Sequence, residues 1–336
     1  MALRILKYLF LGVLLVFTLL LLIVVTSSKM SMDSNFSHTN ESKELQKFSS
    51  SVDDGIVNIS VGEMTFRARI AGFDTNNSKE VVILLHGFPV TSAMWLDLIG
   101  PLKEAGYKVV AFDQRGYSPL ARPETLDSYQ ISEITKDIFA VADVIGAEEF
   151  HLIGHDWGSV VGWSAVLSNP SRITSWTALS LPHPAAFSAA LADDPDQQDR
   201  SSYVDFFQTP WLPETVFSFN NFSLLKTLLG GMSDEKMKEY ISVFSEPGAM
   251  TSALNWYRAL GDDLRFNSDD ANLLEVNTPT LFMWGNRDAS VGRVAIDGMN
   301  EFMKGPYTNI ELDADHWLFV DQPERVIKEI LIHIDK

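Results

Sequence analysis

The chain has 336 residues, 46% of them hydrophobic and 21% charged, which is enough for one large core with an inserted subdomain. A formal net charge of −18, from 44 acidic against 26 basic side chains, excludes nucleic acid or an anionic membrane surface as the main partner. The absence of cysteine excludes disulfides, zinc–thiolate sites and a thiol nucleophile, and leaves the redox compartment open.

From Tyr8 to Val25 the chain is uncharged and almost wholly apolar, with Arg4 and Lys7 before it and Thr26-Ser27-Ser28-Lys29 after it. A signal-peptide core is usually about 7–15 residues long and ends at a small-residue cleavage site, whereas a spanning helix needs roughly 17–25. The run is long and lacks Ala-x-Ala, so residues 1–30 read as a retained membrane anchor. A cleaved signal peptide, and with it a secreted protein, is the alternative. Residues 31–54 are polar, rich in Ser and charge and without periodicity, and read as a tether. Sequons at Asn35, Asn40, Asn58 and Asn76 crowd this end and Asn221 begins another, making these asparagines glycosylation candidates. Their clustering favours a lumenal or extracellular domain. Basic residues flank the apolar run on both sides, so charge does not orient it.

Beyond the tether, period and composition predict strands at about Gly55 to Ser60, Met64 to Ile70, Val81 to Leu85, Lys108 to Phe112, Phe150 to Ile153 and Thr174 to Leu179. Helical stretches at Ala93 to Glu104 and Ile131 to Ile145 lie between them. Strands alternating with helices after an opening hairpin predict an α/β class with a mostly parallel sheet covered on both faces. The alternation stops after Pro182 and resumes near Pro279, and the interval, rich in Phe, Trp and Leu, reads as short helices forming an inserted cap. The expected division is a core of residues 55–182 and 271–336 with a helical cap of 183–270.

The fifth of these strands runs into Gly154-His155-Asp156-Trp157-Gly158 and then a helix. Flanking glycines at this spacing let a sharp strand-to-helix turn present the central side chain at the top of a sheet. A carboxylate there suits displacement at saturated carbon, giving an alkyl ester that water then cleaves. The partners follow in chain order. A strand at Thr280 to Trp284 ends in Gly285-Asn286-Arg287-Asp288, and one at Tyr307 to Leu312 ends in Asp313-Ala314-Asp315-His316. Both polar residues sit past strand C-termini, where ligands bind in open α/β sheets. Asp288 is expected to orient His316, and His316 to activate water.

These separated motifs, in order from roughly Val57 to the C-terminus, resemble the α/β-hydrolase superfamily and, within it, the cap-bearing epoxide hydrolases. His86-Gly87-Phe88-Pro89 looks like that family's His-Gly-x-Pro loop. The resemblance implies that the backbone N–H groups of Phe88 and Trp157 form an oxyanion hole, while His86 is read as stabilising the turn. Asp113-Gln114-Arg115-Gly116-Tyr117-Ser118-Pro119 also matches and reads as architectural, with Asp113 and Arg115 holding loops by charge-assisted bonds. An epoxide oxygen leaves only if protonated, and the family supplies two cap tyrosines for this. The segments Ser202 to Gln208 and Asn255 to Arg258 are similar to theirs, which implies Tyr203 and Tyr257.

The implied reaction converts small apolar epoxides to vicinal diols through an ester on Asp156, hydrolysed by water that His316 activates. It calls for no metal, no organic cofactor and no obligate protein partner. Phe88, Trp157, Phe206 and Trp211 are expected to line an apolar pocket. Two alternatives stand beside it. A haloalkane dehalogenase shares the Asp-His-Asp machinery but commonly places a polar donor where this chain has Phe88. A non-catalytic lumenal binding protein of the same fold would be expected to have lost a member of the catalytic set.

Overall fold

The computed structural model describes residues 38–73, 79–260 and 274–336. The apolar N-terminal run, Asn35 and Asn76 lie outside these residues, as does the side chain of Asn40. Among the described residues no helix is long and apolar enough to cross a membrane.

The strands β1 Gly55–Val61, β2 Met64–Ala71, β3 Val81–Leu85, β4 Lys108–Phe112, β5 Phe150–His155, β6 Ile173–Leu179, β7 Thr280–Gly285 and β8 Tyr307–Leu312 form one sheet. Its order is β1-β2-β4-β3-β5-β6-β7-β8. The β1–β2 hairpin and the β2–β4 pair are antiparallel, and the remaining pairs are parallel. Strand β3 reads Val-Val-Ile-Leu-Leu and is buried along its whole length. Such an unbroken apolar run, without alternation, is what a strand covered on both faces requires.

The helices are α1 His38–Glu44, α2 Leu96–Glu104, α3 Ile131–Ile145 and α4 Trp157–Ser168, then α5 Pro184–Asp193, α6 Pro195–Arg200, α7 Tyr203–Gln208, α8 Leu212–Leu228, α9 Asp234–Phe244 and α10 Ala249–Arg258. After β7 come α11 Arg293–Asp297, α12 Leu318–Asp321 and α13 Pro323–Ile334. In α3 the buried Ile134, Ile138, Val141 and Ala142 recur at helical spacing and turn one stripe to the sheet. Helices α5–α10 are the insertion between β6 and β7, and α8 carries a kink at Phe219–Phe222. On α9, Glu239 reaches the core, where Arg67 and Arg69 of β2 both bond its carboxylate and the Thr91 hydroxyl donates at 2.9 Å.

Two expectations at the N-terminal side are corrected. The described part of the tether is packed: α1 precedes Phe48, whose ring meets Phe73 edge-on at 5.2 Å, and the Phe48 N–H donates to the Asn58 carbonyl at 2.8 Å. Asn58 is only 8% exposed, and its Nδ2 donates to the Ser42 carbonyl at 2.6 Å. A glycan on that nitrogen would break this bond and force a large polar group into the packed α1–β1 contact. Asn221 is exposed, at the α8 kink.

Candidate active site

Strand β5 lies in the middle of the sheet and delivers Asp156 at its C-terminal edge, in a strained conformation with φ +54° and ψ −122°. Helix α4 starts at the next residue, so its positive N-terminal end faces the carboxylate. Glycine is required on both sides of this turn: a Cβ on Gly154 would lie 2.4 Å from the Gly158 carbonyl oxygen, and one on Gly158 would lie 2.0 Å from the Leu85 carbonyl oxygen. In the facing loop after β3, a Cβ on Gly87 would lie 2.2 Å from Asp156 Oδ1.

The Asp156 carboxylate is held by backbone N–H groups and faces His316. The Phe88 N–H donates to Oδ1 at 2.7 Å, and the Trp157 N–H also bonds the carboxylate. Oδ2 faces His316 Nε2 at 3.5 Å. His316 Nδ1 is 2.9 Å from Asp288 Oδ2, while Asp288 Oδ1 accepts the N–H groups of Ser290 at 2.7 Å and Val291 at 3.2 Å. The His316 backbone is fixed too, since its carbonyl accepts from the Ser180 hydroxyl at 3.0 Å and from His155 Nε2 at 2.9 Å. Loops after β5, β7 and β8 therefore bring Asp156, His316 and Asp288 side by side at one sheet edge.

Electrostatics follow from this geometry. Burial disfavours the His316 imidazolium, but the Asp288 and Asp156 carboxylates outweigh it and raise the pKa to about 10. Burial likewise disfavours the Asp156 carboxylate, and bonding to His316 more than compensates, so its pKa is lowered. Asp156 is thus ionised at neutral pH.

Above the carboxylate stand two cap phenols. The Tyr257 ring on α10 lies 5.0 Å from Trp157 and 5.5 Å from Phe88, and the Tyr203 ring on α7 lies 6.4 Å from Tyr257. Burial, reinforced by the Asp156 charge, raises both phenol pKa values, which keeps the hydroxyls protonated as donors. The Tyr203 hydroxyl also bonds the Ser290 side chain.

The loops singled out as architectural are so. The Gln114 N–H donates to His86 Nε2 at 3.0 Å, which leaves Nδ1–H for the Gly87 carbonyl at 3.0 Å. Arg115 grips Asp137 with Nε at 2.8 Å and Nη2 at 2.6 Å, whereas Asp113 takes Arg67 at 3.1 Å and the Ser92 N–H at 2.8 Å.

A cavity of about 300 Å³ opens beside Asp156, Tyr203 and Tyr257, with Trp157, Trp163, Leu181 and Phe187 among its walls. Of the pocket residues expected from sequence, Trp157 lines it and three do not. Trp211 is 63% exposed. Phe206 packs on Phe207 at 5.8 Å, and Phe207 itself meets Tyr203 at 5.2 Å. Tyr203 and Phe207, at i and i+4 of α7, both turn to Tyr257, at 6.4 and 5.0 Å, whereas the ring contact of Phe206 is to Phe207. The Phe88 ring is enclosed by Phe207, Phe217 and Tyr257 at 5.3, 5.6 and 5.5 Å, so Phe88 serves the site through its backbone. The walls that sequence reading missed had a signal. Val160 and Ser164 are spaced to share a face of α4 with the expected Trp157, and Leu181 to Phe187 follow a strand end at the ligand-binding edge.

A family model described as alpha/beta hydrolase fold matches residues 80–323. The chain is 34% identical over 264 residues to Epoxide hydrolase 4 of Homo sapiens, covering 75% of this chain and 71% of that one. It is 31% identical over 292 residues to Epoxide hydrolase A of Mycobacterium tuberculosis, covering 75% and 89%. Among solved structures, a variant epoxide hydrolase from Bacillus megaterium complexed with its product (R)-3-[1]naphthyloxy-propane-1,2-diol is 26% identical. It aligns with a TM-score of 0.75 over 83% of this chain and 100% of that one.

Proposed function

The chain belongs to the α/β-hydrolase fold family and, within it, to the epoxide hydrolases, and from that premise we propose how its residues divide the hydrolysis of an apolar epoxide. Asp156 Oδ2 attacks the less hindered ring carbon, a carbon–oxygen bond forms, and the ring carbon–oxygen bond breaks. Tyr203 and Tyr257 hydrogen-bond the leaving oxygen, and one of them gives it a proton. His316 then takes a proton from water, the hydroxide adds to the Asp156 carboxyl carbon, and the Phe88 and Trp157 N–H groups hold the oxyanion. Collapse of that intermediate releases the diol and restores the carboxylate, while the proton that His316 sheds once the ester forms returns the phenolate to phenol and the proton it takes from water restores the imidazolium.

One observation carries this reading. The carboxylate takes the Phe88 N–H at Oδ1 and a bond from the Trp157 N–H, and turns Oδ2 toward His316, beneath two phenols. The charge logic is consistent with it. Esterification removes the Asp156 charge, one of two that keep His316 protonated, so the imidazole becomes a base when ester hydrolysis needs one. The discriminating assay offers styrene oxide-like and fatty-acid epoxides beside a bromoalkane. Diol formation without bromide release is expected, and efficient bromide release would favour dehalogenation.

The same proposal puts the domain on the lumenal or extracellular side of a membrane, held by residues 1–30. Its support is the uncharged run from Tyr8 to Val25 and the sequons that follow. An intact N-terminus in a carbonate-resistant membrane fraction is expected, whereas a soluble form starting near Lys29 would show a cleaved signal.

A further inference from the structure

A second cavity, of about 180 Å³, shares no lining residue with the substrate cavity. Its rim is at the cap turn, where Gly231 and Ser233 are exposed, and its inner end is the buried His155 next to Trp317. The His155 ring is 4.8 Å from that of His316 and precedes the nucleophile in the chain.

The tautomer of His155 follows from its partner. Nε2 lies 2.9 Å from the His316 carbonyl, which only accepts, so Nε2 carries the proton. Burial, with His316 beside it, lowers the pKa to about 4, so the ring is neutral and Nδ1 is a bare acceptor. That atom is buried and has no hydrogen-bond partner among the described residues. A buried acceptor of this kind calls for a donor. The cavity has the room and the polar groups for several waters, with Ser233, Lys236 and Asp97 in its walls. The Lys236 ammonium is already paired with Asp97 at 2.5 Å, so the wall is polar without offering a free charge to an anion.

The second half-reaction has a supply problem that this cavity answers. While the ester stands, the alkyl group occupies the substrate cavity, whose walls are mostly apolar, so replacement water is better supplied from another side. We propose that the second cavity is the water port for ester hydrolysis: solvent enters between the cap turn and the segment Leu318 to Val320, is held at His155 Nδ1, and restocks the water that His316 activates. His155 is a positioning residue in this scheme, holding the incoming water at one nitrogen and the His316 carbonyl at the other. The inference rests on the ester mechanism proposed above, and the experiment separates the two.

Met232→Trp and Val320→Phe each narrow the port from a different wall and touch no reacting group. Rapid-quench mass spectrometry of the full chain, with one equivalent of epoxide, counts the esterified enzyme over time. Ester formation at the parental rate, with hydrolysis slowed on the order of tenfold, is the expected result for both. His155→Phe, which keeps a ring but removes both nitrogens, is expected to slow the same half, while Met232→Ala keeps the parental hydrolysis rate. Parental hydrolysis in both narrowed variants, or equal slowing of both halves, would overturn the port. No ester on the unmodified enzyme would overturn the mechanism beneath it instead.

Discussion

Changing Tyr203 and Tyr257 to Phe removes two hydroxyls and keeps two rings, which makes it a clean test of the acid in ring opening. The Tyr257 ring packs on Trp157 at 5.0 Å and Phe88 at 5.5 Å, contacts that Phe reproduces. A hydrogen bond to a group acquiring charge is worth about 1.5–3 kcal/mol, so each phenol alone accounts for roughly a 10- to 150-fold effect. With one partly covering for the other, single variants should fall at the lower end, and the double variant should lose about 10²–10⁴-fold. The loss belongs to ester formation, because the phenols act before water does. Stopped-flow quenching of Trp157, which adjoins the ester, reads formation and decay separately. Ring opening at the parental rate in the double variant would make the cap tyrosines structural and refute the reasoning.

Asp156→Asn removes one of the two carboxylates that hold His316 protonated, so the His316 pKa must move down from about 10, as imidazole NMR shifts would report. The folded pKa exceeds the roughly 6.5 of an unfolded chain, so the pair's stabilisation is complete below that pH and is lost as pH rises toward about 10. The parental Tm should fall across this window more than that of Asp156→Asn. Gly87→Ala sets a methyl 2.2 Å from Asp156 Oδ1, and displacing the nucleophile should cut kcat by about 10²-fold, with near-UV circular dichroism checking the fold. Phe187→Ala enlarges the substrate cavity, and kcat/KM for a bulky aryl epoxide relative to a small one should rise by about tenfold; an unchanged ratio would place Phe187 outside the substrate's reach.

Local patterns account for what was readable. Strands β3, β4 and β8 begin and end where apolar runs and turn residues put them, and Asp156, Asp288 and His316 follow strand ends in a fixed order. The α2 region departs slightly, with a tight turn at Ser92–Trp95 before the α-helix begins at Leu96. Choices made by tertiary packing were not readable. Which face of the short α7 turns inward decides between Phe207 and Phe206, and that depends on Phe88 and Tyr257 from distant segments. Asn58 reads as a sequon, yet Ser42 and Leu45 bury its amide. The insertion of Glu239 between Arg67 and Arg69 joins residues about 170 apart, and no spacing rule foretells it. The orphan nitrogen of His155 is likewise visible only once its neighbours are in place.

The central claim is a covalent ester on Asp156, and one turnover in heavy-oxygen water tests it most directly. Hydroxide adds to the carboxyl carbon, so with enzyme in excess the label should enter the Asp156 carboxylate, found by mass spectrometry of the peptide carrying it, and the first diol should hold none. His316→Gln should trap the unlabelled ester, since attack on the epoxide needs no base. Label in the diol from the first turnover, with none in Asp156, would mean that water attacks the epoxide directly and would contradict the account.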